Sequence, residues 1–326
     1  NLETKFVAAN TLIGIDKPCN LFYTNKIEKL EDRDKNLRYK HFTAKSRIEK
    51  LYYQKRNKEL KEHLAQELKN IGFSCESAER IAQFDPFDQN ATATWFDPEW
   101  MFGVKGGFDI VIGNPPYIQL QKAFNQNLKY ADLYKNEKFQ IFDRTGDIYC
   151  LFYEKGIQLL KPNGLLCYIT SNKWMRAGYG ESLRKFFLQF NPKILIDLGP
   201  NVFENATVDT NIIVINNQPN QNELLAVTIT ETKKDGIDFT ANVKEKAVKL
   251  SKLTKDAWFI GSNAEQRLKE KIERIGKPLK DWDVKIYYGI KTGLNEAFII
   301  TTEKRNEILA NCQDDDERHR TEAIIK

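Results

Sequence analysis

The stretch with the clearest chemical content is NPPY, residues 114–117, which follows a mostly apolar run at residues 108–112. Proline fixes its own φ and disfavours the helical conformation in the residue before it, so Pro115 and Pro116 predict a rigid, extended segment. The backbone carbonyls of such a segment are free of any strand ladder, and Asn114 adds a side-chain carbonyl. Two acceptors held close together suit an NH2 group, and the ring of Tyr117 offers a flat face for a planar molecule.

An exocyclic amine on a nucleobase needs a site of this kind in order to react. Its lone pair is delocalised into the ring, and accepting both of its hydrogens exposes that lone pair. Dipoles fixed beforehand also stabilise the positive charge that develops when an alkyl group is transferred. A base inside a duplex cannot reach such a pocket, so it must be flipped out of the helix. The tetrad therefore favours alkyl transfer to a planar amine.

Alternating apolar strands and helices surround this tetrad. Consecutive apolar residues predict a strand buried on both faces at residues 108–112, and further strands at 165–170, 194–198, 211–216 and 224–230, the last as an edge strand. Helices are predicted at residues 147–160 and 181–190. The alternation is typical of a largely parallel α/β sheet covered on both faces, where ligands bind beyond the carboxyl ends of the strands. The tetrad follows such a strand end.

The tetrad after a buried strand resembles the catalytic motif of amino-methyltransferases that use S-adenosylmethionine. Similar tetrads occur in enzymes that act on adenine N6 in DNA, guanine N2 in RNA and a glutamine amide in proteins, so the motif alone leaves the substrate open. The resemblance implies that Asn114 and Pro115 present the acceptors, Pro116 stiffens them and Tyr117 stacks the target base. It also implies that Asn114 and Pro116 contribute to the cofactor site.

Two further stretches resemble the gamma class of DNA adenine methyltransferases. FVAANTLIG, residues 6–14, resembles a strand and loop that bind the adenine ring of the cofactor, which implies this role for Asn10 with Thr11 beside it. The class often has glycine where this chain has Ala9. LGPNVFENATVDTNIIVINN, residues 198–217, resembles a strand, loop and strand in which a loop aromatic stacks on the other face of the flipped adenine; Phe203 takes that position.

The rest of the chain extends the resemblance to the fused type IIG restriction–modification enzymes. A basic helical segment at residues 26–70, WFDPEWMFG at residues 95–103 and GIKTGLNEAFII at residues 289–300 carry it, and the last leads into target recognition in that family. Residues 146–175 match the helix, turn and strand of the pocket wall, where Lys173 and Trp174 could touch DNA or substrate, although Trp174 fits a core position equally well. The implied fold is the Rossmann-like sheet of class I S-adenosylmethionine-dependent methyltransferases, and the implied partner is double-stranded DNA with a flipped adenine.

Two parts of a class I methyltransferase have no candidate in the sequence. These are the glycine-rich loop after the first strand and the acidic residue after the second strand, which bind the amino-acid end and the ribose of the cofactor. The readable strands correspond to the third through the seventh. We therefore expect a sheet that is incomplete at its N-terminal part, and a chain that is inactive by itself. No nuclease constellation is recognisable either.

The domain prediction places the C-terminal portion of the catalytic domain at residues 1–217, including the helical insertion 26–70. A polar break, QPNQ, then opens a connector and the start of a target-recognition region at residues 218–326. The insertion is one long helix or a hairpin of two. It holds 14 Lys and Arg against 8 Asp and Glu between residues 26 and 69, so it is either a solvated hairpin or a surface for a polyanion.

Composition excludes several other classes of protein. Five cysteines without CxxC spacing favour a reducing cytoplasm, and three histidines far apart in sequence argue against a metal site. No apolar run approaches the roughly 18 residues of a membrane helix. Two alternatives remain open: an amino-methyltransferase for RNA guanine N2 or a glutamine amide, and a DNA-binding fragment without catalysis. The sequence does not indicate an oligomeric state or a DNA target sequence.

Overall fold

The computed structural model describes residues 3–18, 25–88, 90–124, 128–203, 208–229, 236–284 and 300–325. The chain divides into two compact units, Asn1–Glu265 and Gln266–Lys326. The GIKTGLNEAFII stretch at residues 289–300 lies outside the described residues except for Ile300.

The described strands of the first unit form two sheets. The short strands β1 (Ala8–Ala9) and β2 (Thr92–Ala93) pair in parallel and stand apart as a two-stranded sheet. The larger sheet has the order β3-β4-β6-β5-β7-β8. Its strands are β3 (Phe108–Gly113), β4 (Leu160–Ser171), β5 (Asn191–Gly199), β6 (Thr210–Asn216), β7 (Leu224–Thr228) and β8 (Val248–Leu250).

Helices surround the sheets in the first unit and make up most of the regular structure described in the second. The first set is α1 (Asn25–Thr43), α2 (Arg47–Asn70), α3 (Cys75–Gln83), α4 (Pro98–Phe102), α5 (Tyr130–Tyr134), α6 (Ile148–Gln158), α7 (Gly180–Phe187) and α8 (Phe239–Lys246). Then follow α9 (Asn263–Ile275), which begins just before the division between the units, α10 (Thr302–Ala310) and α11 (Asp315–Ile324). Among the described helices, none is long and apolar enough to cross a membrane.

The predicted mixture of helices with a central, largely parallel sheet is confirmed, because β3, β4, β5 and β7 run in one direction and only β6 and β8 among the described strands of this sheet run in the other. The pairs β3–β4 and β5–β7 are parallel, whereas β6 runs antiparallel to both β4 and β5. Residues 200–209 are all that separate β5 from β6. That is too short for the crossover of a dozen or more residues that parallel neighbours need, so the chain returns in the opposite direction. The strand predicted as an edge, β7, is interior, because β8 pairs with it antiparallel.

Strand β3 is not buried on both faces, contrary to the prediction. Ile110 is 63% exposed and Ile112 is 77% exposed. Strand β3 stands at the end of the sheet, and no described strand pairs with its outer edge. An apolar run indicates that a strand can be covered on both faces, but it cannot indicate whether the covering elements are present.

Helix α6 packs against β4 and fixes the wall of the site described below. Its Gly156 permits this close contact, because an added Cβ would lie 2.6 Å from the hydroxyl of Tyr168. Tyr153 and Phe187 are fully buried in the same core, with ring centroids 5.0 Å apart. The rings of this core therefore connect α6 and α7 to the sheet.

The insertion is a hairpin of two helices. Helix α2 begins with a capping box, in which the hydroxyl of Ser46 accepts from the backbone of Glu49 and the carboxylate of Glu49 accepts from the backbone of Ser46. The helix ends at Asn70, with Ile71 as its C-cap, and Gly72 follows with φ of +97°. The end of the hairpin far from its turn packs in a second core, which includes Ile27, Leu30, Leu64, Leu68, Trp95, Trp100 and Met101.

The sheet continues past the domain boundary predicted at residue 218. Strand β7 pairs in parallel with β5, so residues on both sides of that boundary share one sheet, and the first compact unit extends to Glu265. The functional division at residues 217 and 218 stays a prediction. Within the second unit, α10 and α11 contact each other through Arg305, whose guanidinium lies 3.1 Å from Glu322.

Candidate active site

The tetrad lies immediately beyond the carboxyl end of β3. It has no regular secondary structure; Pro115 is buried, Asn114 and Pro116 are exposed, and Tyr117 is half-buried. Gly113 permits the close approach of this strand end to β4, since an added Cβ would lie 3.3 Å from the ring of Tyr168. The extended segment therefore presents its polar groups at the edge where strands of an α/β sheet end.

The hydroxyl of Tyr117 orients the amide of Asn114. It donates a hydrogen bond of 2.8 Å to Oδ1 of Asn114 and lies 3.4 Å from the carbonyl of Ile169. Burial raises the pKa of Tyr117 to about 12, so the hydroxyl keeps its proton at neutral pH and remains a donor. An amide oxygen has two lone pairs, so Oδ1 of Asn114 retains one acceptor position for another donor.

The structure brings Phe203 to the tetrad, as the sequence predicted. The ring centroids of Phe203 and Tyr117 lie 6.3 Å apart, with an angle of 53° between the ring planes. A flat ring between them would need roughly 7 to 8 Å, or about twice the optimal separation of carbon atoms. The two rings must therefore move apart by about 1 Å and become more nearly parallel to hold a base between them.

The ring of Tyr117 packs against Tyr149, whose hydroxyl belongs to a chain of hydrogen bonds. Tyr149, fully buried, meets the ring of Tyr117 edge-on at 6.3 Å and 89°. The hydroxyls of Tyr149 and Tyr179 lie 2.8 Å apart, and Tyr179 donates at 2.8 Å to the carboxylate of Asp147. Since Tyr179 donates to Asp147, Tyr149 donates to Tyr179. Burial raises the pKa of both tyrosines, which keeps them protonated.

The sequence analysis missed this role of Asp147, Tyr149 and Tyr179. The available signal was a carboxylate and a tyrosine two residues apart at the start of a helix whose first residues are mostly apolar, α6. Such polar groups are buried only when they have hydrogen-bond partners. Periodicity identified the helix, but the partner, Tyr179, comes from a distant part of the chain.

A second buried network holds the ends of β4 and β6 together. Oδ1 of Asn211 accepts from the indole of Trp174 at 3.1 Å and from the hydroxyl of Thr170 at 3.3 Å. The hydroxyl of Tyr153 lies 2.7 Å from that of Thr170. Trp174 is fully buried, so it is a core residue and not a surface for DNA, whereas Lys173 is exposed. This network fixes the strand end that carries the loop to Phe203.

Asn10 and Thr11 follow β1, outside the larger sheet. Oδ1 of Asn10 accepts from the backbone of Leu12 at 3.2 Å, and Nδ2 donates to the hydroxyl of Tyr134 at 3.2 Å. The hydroxyl of Tyr134 also lies 3.4 Å from Oδ1 and occupies its second acceptor position, whereas Nδ2 keeps one hydrogen that it can present to the edge of a purine. Thr11 is half-buried. Among the described residues, these hydrogen bonds connect Asn10 to α5 and not to the tetrad.

No group of His, Cys, Asp and Glu in the described part of the chain could hold a metal ion.

Comparisons with known proteins agree on one kind of relative. The family model for the Eco57I restriction-modification methylase matches residues 9–203. The chain is 28% identical over 197 residues to the type II restriction enzyme and methyltransferase RM.Eco57I of Escherichia coli, covering 59% of this chain and 19% of that protein. It is 30% identical over 214 residues to the type II methyltransferase M.BstVI of Geobacillus stearothermophilus, covering 59% of this chain and 37% of that protein.

The solved structures that are similar to this chain include the type IIL restriction-modification enzyme MmeI in complex with DNA. It is 16% identical to this chain with a TM-score of 0.44, over 62% of this chain and 25% of that one. The chain thus spans only 19% and 37% of the lengths of the two curated relatives.

Proposed function

Because the chain belongs to the Eco57I restriction-modification methylase family, we propose that it forms part of a site-specific DNA methyltransferase. The reaction is transfer of a methyl group from S-adenosylmethionine to N6 of adenine, within a fused type IIG restriction–modification enzyme. The observation that carries this proposal is the tetrad at the carboxyl end of β3, with Tyr117 and Phe203 6.3 Å apart beside it. A pair of acceptors next to two neighbouring aromatic rings suits a planar amine.

The proposed mechanism uses the acceptors of the tetrad. The carbonyl of Pro115 and the free lone pair of Oδ1 on Asn114 accept the two hydrogens of N6, which exposes the nitrogen lone pair. These dipoles are fixed before the reaction, and they stabilise the positive charge that develops on the amine. Tyr117 and Phe203 hold the flipped adenine between their rings and so contribute to the binding energy that offsets unstacking.

The residues present fit one part of the cofactor site. Asn10 retains one donor position on Nδ2, which suits a ring nitrogen of the adenine of S-adenosylmethionine, and Thr11 lies next to it. Asn114 and Pro116 are exposed at the strand end, where they can border the same molecule. When bound, S-adenosylmethionine supplies the electrophilic methyl group.

The isolated 326-residue chain is proposed to be inactive, because its sequence contains no candidate for the glycine-rich loop of the cofactor site. Equilibrium dialysis with labelled S-adenosylmethionine should show weak binding at most. Robust methylation by the isolated chain would contradict this part of the proposal.

Substitution of Asn114 in the full-length protein tests the main proposal. Asn114→Ala removes an acceptor and should abolish methylation while duplex binding persists; Asn114→Asp keeps acceptor oxygens and should retain measurable activity. The readout is mass spectrometry of nucleosides from DNA incubated with each variant.

The outcome separates the alternatives. N6-methyladenine that depends on Asn114 supports the proposal, and unchanged methylation in Asn114→Ala would overturn the role of the tetrad. Methylation of RNA guanine N2 or of a glutamine amide, with none in DNA, would establish a different amino-methyltransferase. DNA binding without any methylation by the full-length protein would establish a non-catalytic role.

A further inference from the structure

The positive charge of the helical hairpin is concentrated at its turn. Residues 39–58, called the hairpin tip here, hold seven cations and one acid, Glu49. The remaining residues of the segment from 26 to 69 hold seven cations and seven acids. The cations of the tip are Lys40, Lys45, Arg47, Lys50, Lys55, Arg56 and Lys58.

The acid of the tip is committed to the fold. The carboxylate of Glu49 accepts from the backbone of Ser46 at 3.2 Å and of Lys45 at 3.1 Å, where it caps α2. Two backbone hydrogen bonds hold this carboxylate at the start of α2, so it does not pair with the cations farther along the helix. Most of the cations of the tip, by contrast, are exposed.

One face of α2 combines these cations with exposed apolar and aromatic side chains. Ile48, Leu51 and Tyr52 are 82%, 55% and 58% exposed. They fall at helical spacing with Lys55 and Lys58, so all of them share one face. Tyr39 on α1, 67% exposed, adds another exposed phenol to the tip. Residues that face a core are buried. The opposite face of α2 is buried in this way, at Asn57, Leu64 and Leu68, whereas the face with the cations is exposed.

We propose that the hairpin tip binds the phosphate backbone of duplex DNA without regard to base sequence. This inference rests on the proposed function, because it places the substrate of the methyltransferase against a surface outside the catalytic site. Lysine, arginine and tyrosine side chains are the usual donors to phosphate oxygens. The part of α2 in the tip, residues 47–58, is about 18 Å long and so runs past about five phosphates of one strand.

A triple substitution on this face tests the proposal in the chain as it is. Arg47→Gln, Lys55→Gln and Lys58→Gln remove three exposed charges, and glutamine has nearly the helix propensity of the residues it replaces. The matched control is Lys185→Gln, Lys244→Gln and Lys252→Gln, which removes the same charge from exposed positions elsewhere in the first unit. Circular dichroism establishes that both variants keep their helices.

Binding to a short labelled duplex is measured by fluorescence anisotropy across a range of salt concentrations. Each phosphate contact contributes about 0.9 to the slope of log affinity against log salt, so the tip variant should lose about 2.7. Between about 50 and 200 mM salt, the parent chain should therefore weaken about 40-fold more than the tip variant. The control variant should keep the parent slope.

Equal slopes for the two triple variants would overturn the inference, as would failure of the parent chain to bind duplex at about 50 mM salt. Polyglutamate serves as a second probe, for an acidic protein partner. If the tip variant lost binding to polyglutamate but bound the duplex as the parent does, the inference would also be overturned, in favour of such a partner. The measurement needs neither cofactor nor turnover. A reduced slope in the tip variant together with an inactive full-length protein would uphold this inference and reject the proposed function alone.

Discussion

Lys61 provides a quantitative test of the packing between the hairpin and the loop beyond α3. Its side chain is almost completely buried; Nζ donates to the backbone carbonyl of Phe84 and lies 4.5 Å from the centroid of the Phe84 ring. Burial, and then the guanidinium of Arg38, lower the pKa of Lys61 from 10.5 to about 7, against the opposing effects of Asp34 and Asp85. Taking an ammonium group out of water costs more here than its neighbours return.

The sign of the pH dependence follows from this lowered pKa. Below about pH 7 the lysine is charged in both states, and the folded state carries the full penalty. Between about pH 7 and 10.5 the unfolded state binds the proton and the folded state does not, so the free energy of unfolding rises with pH. The penalty is about 4 kcal/mol at pH 7 and about 1 kcal/mol at pH 9.5, at roughly 1.36 kcal/mol per pH unit.

Lys61→Met removes the charge and keeps the length of the side chain. It also leaves the carbonyl of Phe84 without its donor, which costs about 1 to 3 kcal/mol. The variant should therefore be more stable than the parent by about 1 to 3 kcal/mol at pH 7. That advantage should shrink by about 3 kcal/mol at pH 9.5 and disappear or reverse.

Urea unfolding of both proteins at the two pH values measures this difference, and groups that titrate alike in both proteins cancel. Lys29→Met, at an exposed position of α1, serves as the control and should show no such pH-dependent gap. A difference in stability between Lys61→Met and the parent that is the same at pH 7 and pH 9.5 would refute the reasoning, since the expected pH dependence comes from the lowered pKa of Lys61.

Two further substitutions test the site and the start of β3. Phe203→Ala removes one of the two rings proposed to stack on the adenine. Because stacking contributes about 1 to 3 kcal/mol per base, kcat/KM for methylation by the full-length protein should fall about 5-fold to 150-fold. An unchanged kcat/KM would contradict the stacking of the base between Tyr117 and Phe203. Gly107→Ala should lower the urea midpoint of unfolding more than Gly106→Ala does. Both glycines have positive φ, +97° and +81°, but only the Cβ added at Gly107 meets a backbone carbonyl, at 2.8 Å. Equal effects of the two substitutions would mean that this clash is relieved.

Local patterns predicted most of the elements. The apolar runs at β3, β4, β5 and β6 lie where the strands lie, and the absence of Gly and Pro between residues 26 and 70 predicted helix there. The resemblance to methyltransferases of restriction–modification systems is confirmed by the family match over residues 9–203. The tetrad and Phe203 meet as predicted, while the roles given to these residues, and to Asn10 and Thr11, stay predictions.

Features that depend on contacts between distant residues were not predictable. The direction of β6 follows from the shortness of its connection to β5, which a list of strands does not reveal. The bond from Tyr179 to Asp147 joins residues 32 positions apart. Lys61 counted as one more surface cation in the sequence, although it is buried under Phe84. Charge composition gives the sign of a segment but not which of its charges reach solvent.

The outer edge of β3 also determines how this chain behaves when it is concentrated. Its outward backbone groups can pair with the same strand of a second copy, and Ile110 and Ile112 place apolar surface beside that edge. Natural sheets discourage such aggregation with charged side chains, and the charge within β3 is Asp109, which is 80% exposed and 2.9 Å from Lys161. The resistance of the isolated chain to forming edge-to-edge aggregates therefore depends heavily on this carboxylate.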